Sequence, residues 1–247
     1  MLREGLRFVY IYFYHFKVIN FTFNYSKINN FAAEQAQGQL LLFLNNDVSV
    51  ISPGWLEQMA MHSLRPDVGA VGAKLYYPDD TLQHGGVVLR IGGIAGHSHK
   101  FTSRDEVGSF ARMKIVHDVT AVTAACLMTR RDVFFAARGF DEQFTLAYND
   151  VDLCLEIRKL GYRIVWTPFA ELYHYESKTR GYEEESQEKI ARFNSERRKW
   201  LAKWVDTYPS DPLYNRNLTH ILEDYSIDPG KKGASLAKVI SEEPSQA

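Results

Sequence analysis

The chain has 247 residues, enough to bury one substantial core, and its 45% hydrophobic and 24% charged residues exclude a disordered or low-complexity protein. A formal net charge of -1 at pH 7 supplies no field for gathering nucleic acid, so no nucleic-acid partner is expected, while a local basic patch leaves peripheral contact with anionic lipid open. The two cysteines, Cys126 and Cys154, each sit in an apolar run, which points to buried thiols in a reducing compartment and hence a cytoplasmic location.

The aromatic-rich opening, 1–22, is atypical. Arg7, His15, Lys17 and Asn20 interrupt the stretch 6–23, so a transmembrane helix is not expected there. Without a small-residue cleavage site a secretory signal is not expected either, and the aromatic and β-branched content favours strand. Ser26 can cap a helix in which Ile28, Phe31, Ala32 and Ala36 recur at helical spacing, ended by Gly38. Leu40–Leu44 is a continuous apolar run, the pattern of a strand buried on both faces, and it stops abruptly at Asn45, Asn46 and Asp47.

Ser52 and Pro53 read as cap and first position of a second helix, with Trp55, Leu56 and Met59 facing inward. A strand over 68–73 follows. Helix between two strands is the βαβ signature, which predicts an α/β fold with a right-handed crossover and ligands beyond the strands' carboxyl ends. The glycine-rich stretch 85–96 predicts hairpins or a loop over the sheet.

The run 119–128 is apolar and 130–137 predicts a short helix. A further helix starts near Val151, with Leu153, Ile157 and Leu160 on one face, Asp150 and Asp152 at its positive end, and Gly161 as its stop. The segment 162–166 predicts a strand. Beyond Glu183, Glu184 and Glu185, the spacing of Ile190, Phe193, Arg197, Trp200 and Trp204 predicts an amphipathic helix packed on the domain, and the tail from Asp228 is expected to fray.

Asp47, at a strand's carboxyl end, can hold a divalent ion against a diphosphate, and Asn45, Asn46 and Asp47 form the candidate cofactor-binding turn. The same three residues are equally a turn whose side chains bond the local backbone. Asp150 is either a helix cap or a general base, with Asp152 as a dipole or orienting residue. A lone histidine at a strand end, as His174 is, is more often structural than a metal ligand, and spacing leaves both readings open.

His84, His97, His99 and His117 suggest a zinc alternative without any tight pair on one helix. Gly92, Gly93 and Gly96 only partly imitate a dinucleotide fingerprint. Arg130 and Arg131 could contact phosphate, although paired arginines at a helix start are more often solvated.

Taken together, Asn24-Tyr-Ser-Lys-Ile-Asn-Asn30 and Gly38-Gln-Leu-Leu-Leu-Phe-Leu-Asn-Asn-Asp47 resemble the middle of family 2 glycosyltransferases, particularly rhamnosyltransferase-like members of bacterial polysaccharide pathways. Val68-Gly-Ala-Val-Gly-Ala-Lys-Leu75, Gln83-His-Gly-Gly86, Gly139-Phe-Asp-Glu142, Asn149-Asp-Val-Asp-Leu153, Gly161-Tyr162 and Glu171-Leu-Tyr-His174 continue the likeness in order. It runs from Phe23 to about Ser226, and Asp211-Pro-Leu-Tyr-Asn-Arg-Asn-Leu218 resembles that family's C-terminal extension.

The resemblance implies a GT-A-like (Rossmann-like) α/β fold: a mixed, mostly parallel sheet flanked by helices, N-terminally truncated, with a C-terminal helical tail. It divides the chain into the atypical segment 1–22, a core over 23–181 and an extension with frayed tail over 182–247. By similarity Asp47 matches the last acid of a DxD-type metal motif, Asp150 the catalytic base and His174 the later metal-binding histidine. Asn45 and Asn46 leave one carboxylate in that motif, and Ala124-Ala125 stands where relatives often carry glycine.

The strands that hold the nucleotide base in that family have no match before Phe23. The implied activity is inverting transfer of a sugar from a nucleotide-diphosphate donor, with Mn²⁺ or Mg²⁺, to a hydroxyl of a saccharide or lipid-linked acceptor in cell-surface polysaccharide synthesis. The setting would be the cytoplasm or the inner face of the cell membrane. The alternatives are a truncated, inactive or sugar-binding module and, third, a metal-dependent hydrolase.

Overall fold

The computed structural model describes residues 23–176, 186–228 and 230, and before them the backbone of two paired strands. Those two, β1 (Val9–Tyr12) and β2 (His15–Val18), run antiparallel in register Val9↔Val18 to Tyr12↔His15, so the aromatic-rich opening does form strand. The rest of 1–22, the acidic run 183–185 and the tail beyond 230 lie outside the described residues.

Helix α1 (Tyr25–Gln35) is capped by Asn24, whose side chain accepts from the Lys27 amide at 3.0 Å, and not by Ser26. Ser26 lies inside the first turn, buried, its hydroxyl donating to the Phe144 carbonyl. Both side chains are good capping types, and the tertiary partner of Ser26 decides which one caps. The helix closes at Ala36, before Gly38.

Strand β3 (Leu40–Leu44) leads through the Asn45–Asp47 turn to β4 (Val48–Val50). Helix α2 (Trp55–Ser63) is preceded by Gly54 in a left-handed conformation (φ 73°), not by a Ser52 cap. Ser52 instead donates to the Phe169 carbonyl and accepts from the Glu171 amide, stitching the loop to a strand. Met59 is buried, but Leu56 faces solvent.

Strand β5 (Val68–Tyr76) is buried along its whole length, longer than 68–73, and is followed by β6 (Leu82–His84) and the hairpin β7 (Val87–Leu89) and β8 (Ala95–His97). A 3₁₀ segment, Ser109–Lys114, precedes β9 (His117–Val119). Then come β10 (Cys126–Arg130), α3 (Arg131–Ala136), α4 (Asn149–Lys159), β11 (Arg163–His174) and α5 (Gln187–Trp204).

Seven strands make the central sheet in the order β3-β10-β5-β11-β4, with β6 on β5 and β9 on β11. The sheet is mixed and helix-flanked as expected, but its parallel share is smaller than the sequence suggested: β5–β11 is the parallel pair, and the other pairs among the described residues are antiparallel. An apolar run shows that a strand is buried, not which way it points. Here β10 enters between β3 and β5 against both, so the latter two run the same way without touching. Strands β3, β5 and β11 therefore end at one rim, where β10 begins.

Close packing fixes helix α4 on β5. A Cβ at Gly69 would lie 2.2 Å from the Ile157 side chain, so only glycine permits that approach. Gly161, at φ 91°, turns the chain after α4 and into β11, while Leu160 faces solvent instead of continuing the apolar face. Helix α5 inserts Trp200 and Trp204, both fully buried, against the core.

Arg130 and Arg131 are only partly exposed and are engaged by backbone. Arg130 donates to the carbonyls of Arg65 (2.7 Å) and Val68 (2.8 Å), and Arg131 to that of Ala36 (3.0 Å), tying the helix start to neighbouring chain ends. No helix of the described residues is long and apolar enough to cross a membrane.

Candidate active site

The apolar run of β3 pairs with β10 from Leu40↔Arg130 to Leu44↔Cys126, and the last contact of that edge is the Asn45 amide donating to the Ala125 carbonyl (3.0 Å). From there the polar residues 45–47 turn the chain across the rim. The Tyr175 amide donates to the Asp47 carbonyl at 2.8 Å, which anchors the turn to the end of β11. Asp47 and His174 thus arrive together, with His174 Nε2 3.2 Å from Asp47 Oδ1.

Asn45 joins them, its Nδ2 3.2 Å from the same His174 nitrogen, whereas Asn46 occupies the tip of the turn. The other ring nitrogen, His174 Nδ1, lies 2.7 Å from Oε1 of Gln83, a buried residue at the centre of β6. In the sequence Gln83 stands only as part of the Gln83-His-Gly-Gly86 string. Nothing in that local context signals that it reaches a histidine 91 positions later.

Asp150 lies in the first turn of α4, but the cap position is Tyr148, in a left-handed conformation at φ 63°. The carboxylate accepts from the Ala124 amide at 3.1 Å and from the Val151 amide at 2.8 Å. Burial pushes its pKa up, and these hydrogen bonds, with one from Thr123, partly counter the rise. Ala124 and Ala125 tie the pieces together, one amide holding Asp150 and the next carbonyl holding Asn45. The Tyr25 hydroxyl on α1 donates to the Ala124 carbonyl at 2.9 Å and steadies that segment.

Helix α5 reaches the same place from behind. Glu196, buried, accepts from the amides of Thr145 (2.9 Å) and Ala147 (2.7 Å), clamping the loop that delivers Asp150. Asp152 faces away from the rim and into α5, accepting from Trp204 Nε1 and pairing with Lys203, both at 2.7 Å. Its role is to dock the C-terminal helix. Buried under the site, Glu196 and Asp152 order the loop and the helix at the cost of desolvation, and Asp152 Oδ2 is left without a hydrogen-bond partner among the described residues.

The four histidines of the zinc alternative fall into three settings. His84 and His97 pair through their Nδ1 atoms at 2.8 Å, His99 stacks on Tyr225, and His117 bonds the Ile115 carbonyl. No group of three or more His, Cys, Asp or Glu side chains set to hold a metal occurs among the described residues. Gly92, Gly93 and Gly96 lie in or beside the β7–β8 turn, not before a helix. An open cavity of about 490 Å³, lined by His99, Thr102, Asp105 and Asp224 among others, includes none of Asp47, Asp150 and His174.

Could the rim hold a cation? Two cis ligands of an octahedral ion, each at about 2.1 Å, stand about 3 Å apart. The 3.2 Å between the carboxylate oxygen of Asp47 and the imidazole nitrogen of His174 fits that spacing. Were both to bind one ion, the other positions would be left for phosphate oxygens and water. An oxygen and an imidazole suit Mn²⁺ at least as well as Mg²⁺.

The family model described as "Glycosyl transferase family group 2" matches residues 42–213. An uncharacterized protein, y4gI, of Sinorhizobium fredii is 47% identical over 206 residues, which are 83% of this chain and 23% of that protein. The O-antigen biosynthesis protein RfbC of Myxococcus xanthus is 40% identical over 206 residues, 83% of this chain and 16% of that one. An N-acetylglucosaminyl-diphospho-decaprenol L-rhamnosyltransferase of Mycobacterium tuberculosis is 35% identical over 60 residues, 24% of this chain and 20% of that protein. The chain thus spans less than a quarter of the length of these relatives.

Among solved structures, a mannosyltransferase of Pyrobaculum calidifontis in complex with GDP-Man and Mn²⁺ aligns over 89% of this chain and 55% of its own, with a TM-score of 0.50 and 15% identity. GalNAc-T7 with UDP, GalNAc and Mn²⁺ aligns over 90% of this chain and 45% of its own, with a TM-score of 0.54 and 11% identity. At such identities the likeness shows the fold, which is of the GT-A kind.

Proposed function

The chain belongs to glycosyl transferase family group 2, and on that premise we propose that it moves a sugar from a nucleotide-diphosphate donor to an acceptor hydroxyl with inversion at the anomeric carbon. Asp47 and His174 would hold the divalent ion, Mn²⁺ in preference to Mg²⁺, with Asn45 and Asn46 shaping the turn beside the diphosphate. The ion supplies neutralisation of the negative charge that grows on the departing diphosphate.

Asp150 takes the proton of the acceptor hydroxyl as that oxygen forms its bond to the anomeric carbon. The bond from that carbon to the diphosphate oxygen breaks on the opposite face, and its electron pair leaves with the nucleotide. A pKa raised by burial suits this role, because it makes the carboxylate a stronger base toward the acceptor proton. Burial behind Ala124 and the clamped 145–147 loop keeps the carboxylate in one place.

The observation that carries the proposal is the 3.2 Å approach of Asp47 and His174 at the sheet rim. The names of the relatives support an acceptor in cell-surface polysaccharide synthesis, a saccharide or a lipid-linked glycan, and we place its encounter at the inner face of the membrane. Residues 23–181 would form the catalytic core and 182–247 its C-terminal extension and tail. Calorimetric titration of the folded chain with nucleoside diphosphates tests the reading: heat of binding that requires Mn²⁺ supports it, and no metal-dependent binding at millimolar ligand rejects it for this chain.

A further inference from the structure

We infer that Gln83 fixes the tautomer of His174 and so decides whether that imidazole can serve as a metal ligand, an inference that rests on the reading of Asp47 and His174 as the metal pair. An amide side chain offers an acceptor oxygen on one side and a donor NH₂ on the other. Gln83 Nε2 lies 3.2 Å from Glu176 Oε2 and 3.4 Å from the His174 carbonyl oxygen, both acceptors. Turning the amide over would set its oxygen against a carboxylate and a carbonyl together. The orientation is therefore determined by chemistry, with Oε1 facing His174 Nδ1 at 2.7 Å.

An amide oxygen only accepts, so Nδ1 must carry the proton. A neutral ring protonated at Nδ1 has a bare Nε2, and that is the atom 3.2 Å from Asp47 Oδ1 and 3.2 Å from the donor Nδ2 of Asn45. The opposite tautomer would point an Nε2–H at the Asp47 carboxylate and occupy the lone pair that a cation needs. Gln83 thus acts through His174 as a positioning residue, in the manner of outer-shell partners that fix ligating imidazoles.

The fold leaves Gln83 little freedom to do otherwise. It is 3% exposed and His174 8%, so water has no room to replace its oxygen. Its backbone is pinned on both sides by the pairs Tyr76↔Leu82 and Leu75↔His84 between β5 and β6. The two neighbours in the strand hold the glutamine where the end of β11 passes.

A long-range ¹H–¹⁵N spectrum of the metal-free wild-type chain at pH 8 tests this without any substitution. Protonation at Nδ1 and a bare Nε2 on His174 are expected, and a ring protonated at Nε2 overturns the inference. In a second experiment, Mn²⁺ titration should show Gln83→Leu weakened by about 10–100-fold. Exchanging the pair, Gln83→Glu with Glu176→Gln, keeps an acceptor for Nδ1 and a donor between residues 83 and 176, and should recover part of that loss, the second Glu oxygen then facing the His174 carbonyl.

A folded Gln83→Leu chain that binds Mn²⁺ like the wild type overturns the inference, and if that variant fails to fold the wild-type spectrum decides. Lack of Mn²⁺ binding by the wild-type chain would count against the transferase reading instead, so the two failures are separable.

Discussion

His174 Nε2 stands 3.2 Å from Asp47 Oδ1 because the 45–47 turn carries the chain from the end of β3 across the rim into β4, whose Val48 pairs directly with His174 of β11. One strand runs out of apolar residues at Leu44, and the other is carried to the rim by its parallel pairing with the fully buried β5. The pair is thus a consequence of sheet topology, and a change that leaves both side chains intact but shifts either strand would part them.

Asp150→Asn separates function from stability. With its charge gone the side chain can still accept from the Ala124 amide, but it can no longer take a proton, and turnover should fall by about 10²–10⁴-fold with nucleotide affinity kept. Burial raises the Asp150 pKa in the folded chain, so above its unfolded value of about 3.8 the folded state keeps the proton longer than the unfolded one. The stability tied to that proton is present at acid pH and lost as pH rises through the folded value. At neutral pH Asp150→Asn should therefore relieve the desolvated charge while leaving one of the Ala124 and Val151 amides without its acceptor, so its stability in urea should stay within about 1–3 kcal/mol of wild type. Wild-type turnover in the variant rules out Asp150 as the base.

Glu196 lies outside the rim yet should matter to it. Glu196→Leu strands the Thr145 and Ala147 amides, at about 1–3 kcal/mol for each buried donor left unpaired. The freed loop then lets Asp150 wander, so kcat should drop while Mn²⁺ affinity stays. Urea unfolding and steady-state kinetics on the same preparation check both halves, and unchanged kcat with lowered stability would limit Glu196 to a structural role.

Lys74 makes the stability depend on pH in the alkaline range. Burial, partly countered by Glu171, lowers its pKa from 10.5 to about 8. Between about pH 8 and 10.5 the unfolded chain keeps a proton that the folded chain has released, so stability rises with pH across that window. Tyr76, whose pKa burial raises, acts in the opposite sense above its ordinary value near 10. Subtracting the profile of Lys74→Met isolates the lysine, and wild type should gain about 2 kcal/mol relative to that variant from about pH 7 to about 9.5. A flat difference would mean that the ammonium is not desolvated.

Much of the architecture was legible because local chemistry announces it. The stop after Leu44, the glycine ending α4 at 161 and the tryptophan stripe of α5 each follow from a period or a special residue. The caps at Asn24 and Gly54 were missed in favour of Ser26 and Ser52, since all four are plausible at helix starts and long-range bonds to Phe144 and Phe169 claim the serines. Strand direction was not legible either, and β10 is antiparallel to both its neighbours. Gln83 and Glu196 escaped for the same reason: their partners, at His174 and at Thr145 and Ala147, are brought near by the fold and not by the local pattern.

The most direct test is Mn²⁺ binding, followed by electron paramagnetic resonance or calorimetry with nucleoside diphosphate present, for the wild-type chain, Asp47→Asn and His174→Ala. If the two side chains share one cation, each substitution weakens binding strongly while the fold, read by circular dichroism, is kept, and the double variant is little worse than the weaker single one. Wild-type affinity in either folded single variant would contradict a common ion between them.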